Sequence, residues 1–286
     1  MPRFFTTNDI KNLCEQYGFR PSKEYGQNYL LNLEPIEKMI SAANLSKDDV
    51  VVEVGPGFGI LTFALAEESK KVVSFEIEKK LESYWKKQKK DYPNIQIEWG
   101  NVLHRFKELA NDFKKYKVVA NLPYQIISPI LKLFLEDVEN QPEEMVLLVQ
   151  KEVAERICAK PGDMSVLAVA VQFFGQPEII FSVPRHLFWP APQVDSAIIK
   201  ISNIKKSHFV LDKGLSLADF FKFVRAGFLN RRKLLQKNLI SLTGKDNKEK
   251  IAEIWAKLGW GHNRRAQELS VSEWVELFNL WNEDRN

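Results

Sequence analysis

The chain has 286 residues, 45% of them hydrophobic and 27% charged, and its 41 Lys/Arg against 37 Asp/Glu give a formal net charge of +4. One or two domains with a sizeable core are therefore expected, and a disordered or strongly polycationic chain is excluded. Cys14 and Cys158 are too few for a disulfide framework, and the scattered His104, His186, His208 and His262 lack metal-ligand spacing, so reduced thiols and no metal are expected. Met1 to Asp9 carries no apolar signal core, and no run reaches about 18 uninterrupted apolar residues. A cytoplasmic, non-membrane, monomeric protein is the expectation.

The first element with chemical meaning is Val50-Val51-Val52-Glu53-Val54, a β-branched strand that ends in Gly55-Pro56-Gly57-Phe58-Gly59. Ile60 to Ala66 follows with helical character. Glycines let backbone approach a ligand closely, and a helix start presents free N–H groups. The spacing is not G-x-G-x-x-G, and no lysine follows as a phosphate loop requires. A second strand, Lys71 to Phe75, leads to Glu76, whose carboxylate is placed to accept both hydroxyls of a ribose. Together these features point to a nucleoside-type cofactor without phosphates, as in S-adenosylmethionine (SAM). A third strand, Ile95 to Glu98, precedes Gly100-Asn101.

The apolar run Val118-Val119-Ala120 then delivers Asn121-Leu122-Pro123-Tyr124. An adenine amino nitrogen is a poor nucleophile because its lone pair is delocalised into the ring. The Asn121 side-chain oxygen and the Leu122 carbonyl can accept its protons and localise that lone pair. Pro123 has no competing N–H. Tyr124 offers a face for an extruded base, worth about 1–3 kcal/mol.

Beyond Ile204 the composition shifts. Residues 205–286 carry 16 Lys/Arg and 10 Asp/Glu, which leaves −2 for the first 204. Segments 218–230, 247–258 and 272–282 have helical spacing. The chain is accordingly divided into an α/β domain, 1–206, with a mainly parallel doubly wound sheet, and a small all-α domain, 207–286. In the latter, Arg225, Arg231, Arg232, Lys233 and Lys237, beside Phe221, Phe223 and Phe228, form the densest basic cluster within four helical turns, read as a face contacting nucleic-acid phosphates, the alternative being an ordinary solvated helix face. Arg264-Arg265 is a weaker cluster that could simply cap a helix.

These motifs, in this order, resemble those of the rRNA adenine dimethyltransferases of the KsgA type. Gly26-Gln27-Asn28-Tyr29-Leu30 is similar to that family's N-terminal G-Q-N-F-L element, and Glu53 to Gly59 to its glycine motif. Phe75-Glu76-Ile77-Glu78 is similar to its ribose-binding acid, and Asn121 to Tyr124 to its catalytic loop. Gln150 to Arg156 with Pro161-Gly162, the F-x-P-x-P-x-V-x-S stretch Phe188 to Ser196, and Asn230 to Lys233 complete the series. The resemblance implies a Rossmann-like SAM-dependent domain in which Asn28, Leu30, Gly55, Gly57, Gly59, Glu76, Asn101 and Asn121 hold the cofactor. Asn121, Leu122, Pro123, Tyr124 and Phe188 would form the catalytic loop and base pocket. It implies dimethylation of two adjacent adenosines in the terminal hairpin of small-subunit rRNA, in a pre-ribosomal particle. Asn101 stands where the family usually has Asp, which implies weaker SAM binding. Glu24-Tyr25 replaces more usual basic residues. The alternatives are a large-subunit adenine methyltransferase of the macrolide-resistance type and a non-catalytic assembly or transcription factor.

Overall fold

The computed structural model describes residues 5–21, 26–206, 208–243 and 248–283, with only the backbone for 241–243. Glu24 and Tyr25 lie outside the described residues. The chain divides into two compact units: Met1–Ala154 with Gln176–Ile204, and Glu155–Gly175 with Lys205–Asn286.

The first unit begins with α1 (Thr7–Gln16), β1 (Tyr29–Leu30) and α2 (Leu33–Ala43). Then β2 (Val50–Val54), α3 (Ile60–Glu68), β3 (Lys71–Glu76), α4 (Glu82–Gln88), β4 (Ile95–Trp99), α5 (Val102–Leu109), β5 (Lys117–Asn121), α6 (Ile127–Lys132) and β6 (Met145–Gln150) alternate. After α7 (Lys151–Ile157) and α8 (Val166–Gln172), β7 (Gln176–Val183), β8 (Phe188–Trp189) and β9 (Ser196–Ser202) return to the first unit. The seven-stranded sheet has the order β4-β3-β2-β5-β6-β9-β7. The first five strands are mutually parallel, and β9 runs antiparallel to both β6 and β7. Central strands covered on both faces need continuous apolar sequence. Val51, Val52, Val118, Val119 and Met145 to Val149 supply it and are fully buried.

Chain order reverses between β2 and β5, so a crevice opens outside the carboxyl ends of these strands. Gly59 starts α3 with φ 88°, and a Cβ there would sit 2.7 Å from Phe63 and 2.8 Å from Trp85. Only glycine meets both demands. A separate two-stranded pairing sets Tyr29 against Trp189 and Leu30 against Phe188.

The second unit contains α9 (Leu217–Gly227), α10 (Leu235–Thr243), α11 (Lys248–Lys257) and α12 (Val271–Asn282). A division at 206/207 assigns Glu155–Gly175 to the α/β domain, whereas in the structure this stretch groups with the helices. The reason is long-range packing. Phe173 lies 5.1 Å from Phe220, and the Gly162 and Met164 N–H groups donate to the Gln267 carbonyl at 2.9 and 3.1 Å. The helix expected over 218–230 stops at Gly227, where a Cβ would come within 2.3 Å of Trp274. The buried Asn238 side chain then donates to the Gly227 and Asn230 carbonyls, at 2.6 and 3.1 Å, and fixes a non-helical turn over 228–233.

Candidate active site

Four adjacent parallel strands bring the site together. β2 ends at the Gly55-Pro56-Gly57 turn, β3 at Glu76, β4 just before Gly100-Asn101 and β5 at Asn121. With strands about 4.8 Å apart, Glu76 and Asn121, separated by β2, stand roughly 10 Å from one another. These residues, with Asn28, Leu30, Leu122 to Tyr124 and Phe188, line one cavity of about 280 Å³. Gly59 does not line it; its place is set by packing beneath the turn.

Glu76 is 4% exposed. Its carboxylate accepts the Gly57 N–H at 3.2 Å and the Glu78 N–H at 2.8 Å, so the glycine turn and the acid hold each other. Burial pushes its pKa up, against the pull of those N–H groups. An ionised carboxylate has about four lone-pair positions, so acceptor capacity remains at the cavity wall. Glu53, also in the lining, is 1% exposed. Burial pushes it up to about 7, although the Ser74 hydroxyl donates to it at 2.6 Å.

The residues of the Asn121 to Tyr124 loop are oriented by partners that sequence spacing does not reveal. The Asn121 Nδ2 donates to the Asn28 carbonyl at 3.3 Å, which leaves Oδ1 as an acceptor with no described donor. Asn28 thus positions Asn121, while its own Nδ2 turns to the Gly26 carbonyl at 3.2 Å. The Leu122 N–H is taken by the Leu148 carbonyl at 3.2 Å, and no described residue donates to the Leu122 carbonyl. Pro123 supplies no N–H and sits extended at φ −57°, ψ 130°. The Tyr124 hydroxyl is 2.8 Å from the hydroxyl of buried Ser196 on β9, which fixes the ring at the cavity edge. Phe188 reaches the cavity because β8 pairs with β1. Ser196 has a definite task that its motif alone does not announce, since its partner is 72 residues away.

Asn101 also does something that the sequence does not state. Its Oδ1 accepts the Leu103 N–H at 3.0 Å and caps α5. Helix capping engages the same oxygen that would accept from a ligand amino group.

In the helical unit, Arg225 on α9, Arg231, Arg232 and Lys233 in the turn, and Lys237 on α10 are all exposed. The three central cations therefore sit on a turn anchored by Asn238, where the sequence spacing predicts a continuous helix. Phe221 and Phe223 are core residues, 3% and 5% exposed, and Phe228 stacks on Trp274 at 5.5 Å; none is a free platform. Arg264 pairs with Glu273 at 2.6 Å and lies over the Trp260 ring at 5.0 Å, which is a structural role.

The sequence profile described as "Ribosomal RNA adenine dimethylase" matches residues 18–283. The chain belongs to the ribosomal RNA adenine dimethylase family. The protein called "Ribosomal RNA small subunit methyltransferase A" from Dehalococcoides mccartyi strain 195 is 39% identical over 275 residues, 96% of this chain and 93% of that one. Its namesake from Geobacillus kaustophilus is 40% identical over 288 residues, covering 96% and 95%. Among solved structures, a dimethyladenosine transferase from Plasmodium falciparum superposes with TM-score 0.74 at 27% identity, covering 90% of this chain and 98% of that one. The 23S rRNA methyltransferase ErmE gives 0.69 at 26% identity, covering 88% and 98%.

As a ribosomal RNA adenine dimethylase the protein is a SAM-dependent enzyme. The cavity fits that cofactor on its own chemistry. A buried carboxylate with spare acceptor capacity suits a ribose diol, and the lack of any cation among the lining residues suits a positively charged donor. No helix of the described residues is long and apolar enough to cross a membrane, and no described cluster of His, Cys, Asp or Glu could hold a metal ion.

Proposed function

We propose that this protein transfers two methyl groups from SAM to the N6 atom of each of two adjacent adenosines in the terminal hairpin of small-subunit rRNA, within a pre-ribosomal particle. The observation that carries the reading is the orientation of Asn121. Its Nδ2 is held by Asn28, which leaves Oδ1 free to accept, and both Asn121 and Leu122 line the cavity that also contains Glu76. SAM supplies an electrophilic methyl group on a sulfonium sulfur. The Asn121 Oδ1 and the Leu122 carbonyl accept the two N6 protons and localise the nitrogen lone pair for in-line attack. Tyr124, tied to Ser196, and Phe188 hold the base ring. Glu76 would accept from the ribose hydroxyls of the cofactor. As the new C–N bond would form and the C–S bond break, with its electron pair returning to sulfur to leave S-adenosylhomocysteine, the nitrogen would become cationic and acidic, so its proton can leave to water without a dedicated base. Positioning and preorganised dipoles carry the rate.

The target base must be unpaired or extruded to enter such a cavity. The exposed Arg225, Arg231, Arg232, Lys233 and Lys237 are suited to the RNA backbone. Relatives at 39–40% identity named for the small subunit support that target, and such a substrate is consistent with work in the cytoplasm. The test is methyl transfer from labelled SAM to small-subunit particles lacking adenine dimethylation, followed by nucleoside mass spectrometry. N6,N6-dimethyladenosine at adjacent hairpin positions is the expected result. Modification of large-subunit RNA instead, or no transfer despite intact SAM and particle binding, overturns it.

A further inference from the structure

Outside the cavity, a lysine-lined cleft of about 620 Å³ lies between α4 and the edge strand β4. Lys70, Lys71, Lys86 and Lys89 line it, with Trp85 and Trp99 among its apolar residues and Glu82 its only lining acid. Lys86 is paired with Glu82 at 2.8 Å. The Lys70, Lys71 and Lys89 ammonium groups have no ion pair or hydrogen bond to any described residue. The wider stretch 70–90 holds eight Lys against three Glu, net +5, although the first 204 residues sum to −2. Four of those eight lysines line the cleft and bring positive charge to one concave place on an otherwise acidic region.

The cleft is built, not incidental. Asn94 donates to the Ala66 and Ser69 carbonyls at 2.8 and 3.3 Å, fixing the start of β4 against the end of α3 beside Lys70. Ile95, Ile97 and Trp99 alternate along β4 and share one face. Trp85 on α4 is anchored by its indole N–H on the Gly57 carbonyl at 3.1 Å. Three unpartnered ammonium groups over a rigid apolar floor suit a phosphodiester strand, with Trp99 half-buried and able to take a base against its ring.

We propose that this cleft is a second RNA-binding site, on the catalytic unit, that grips a strand of ribosomal RNA through its phosphates. The inference rests on the reading of the substrate as ribosomal RNA. It assigns part of substrate affinity to residues 70–99, apart from the basic turn of the helical unit.

The test compares wild type with a Lys70→Ala/Lys71→Ala/Lys89→Ala variant, using unmethylated small-subunit particles and a single-stranded RNA oligonucleotide. Each lost phosphate contact lowers the slope of log affinity against log salt by about 0.7, so a drop of about 2 is expected. KM for particles should rise by about tenfold or more near 0.15 M salt, with kcat and SAM affinity unchanged. A Lys70→Arg/Lys71→Arg/Lys89→Arg variant should restore both slope and KM. A Lys70→Gln/Lys89→Gln variant keeps half-buried Lys71 and gives a second reading, a drop of about 1.4, should the triple variant misfold. Unchanged slope and KM in a folded variant overturn the proposal. So does weakened heparin binding with RNA binding intact, which would mark a general polyanion surface. If wild type fails to methylate any particle, the functional reading falls, while the salt slope on RNA still decides this site.

Discussion

Replacing Glu53 with glutamine should alter how stability responds to pH, and by an amount the structure sets. Burial disfavours the charged carboxyl and raises it from the ordinary 4.5 to about 7; the Ser74 hydroxyl opposes the rise, and Glu76 adds to it. Between these values the folded chain holds a proton that the unfolded chain has released. Stability contributed by this group is therefore full below 4.5 and is lost as pH rises through 7. At 1.36 kcal/mol per pH unit the loss is about 3 kcal/mol. The amide of the Glu53→Gln variant would stay neutral and still accept from Ser74. Asp49, Asp137 and Glu273 are held below the usual carboxylate range despite partial burial, Asp137 and Glu273 by their lysine and arginine partners and hydrogen bonds. They drive stability the opposite way but are common to both proteins and cancel in the difference. Denaturant unfolding of the ligand-free proteins, followed by circular dichroism from about pH 4.5 to about pH 8, reads that difference. Glu53→Gln should gain about 3 kcal/mol on wild type across the range. A difference that stays flat with pH would refute a buried, proton-holding Glu53.

Removing the acceptor with Asn121→Ala should lower single-turnover methyl transfer by about 10²–10³-fold, far more than it lowers calorimetric SAM affinity. Ser196→Ala leaves the Tyr124 hydroxyl without its partner at 2.8 Å, and a loss of about 1 kcal/mol is expected. Tyr124→Phe added to Ser196→Ala should cost nothing further in kcat, since both remove one tether; additive losses would contradict it. Asn101→Asp keeps a good N-cap on α5 and adds a second, charged oxygen, so S-adenosylhomocysteine should bind about fivefold tighter by calorimetry.

The parallel sheet is legible in the sequence because strands buried on both faces must be apolar throughout, and Val50–Val54 and Val118–Ala120 obey that rule. Many residues of the site are legible too, because Glu76 and Asn121 end β3 and β5 while Gly55 and Gly100 directly follow β2 and β4. Their orientation is not. Asn28 to Asn121 spans 93 residues and Tyr124 to Ser196 spans 72, and no local propensity encodes such pairings. The turn over 228–233 is hidden for a related reason. Its local sequence suits a helix, and the turn is held instead by the Asn238 side chain, which donates to the Gly227 and Asn230 carbonyls. The grouping of Glu155–Gly175 with the helical unit likewise depends on Phe173 and Gln267 contacts between distant segments.

Two acceptors and one nitrogen create an asymmetry between the first and second methyl transfers. The unmodified amino group has two protons, one for the Asn121 Oδ1 and one for the Leu122 carbonyl. After one transfer a single N–H remains, and the new methyl must face one of those oxygens. Both carbonyls are fixed, Asn121 by Asn28 at 3.3 Å and Leu122 by its N–H on Leu148 at 3.2 Å, so neither swings away at no cost. One hydrogen bond of about 1 kcal/mol is forfeited in the second step, which should run about fivefold slower than the first. In Asn121→Ala only the Leu122 carbonyl is left. Its single acceptor serves either substrate equally, and the freed volume accommodates the methyl. The two rate constants should then converge even as both fall. Time courses of mono- and dimethyladenosine under single-turnover conditions, with excess enzyme, resolve the two steps. A second step as fast as the first in wild type, or a ratio unchanged in Asn121→Ala, would mean that the two oxygens do not share the amino group in this way.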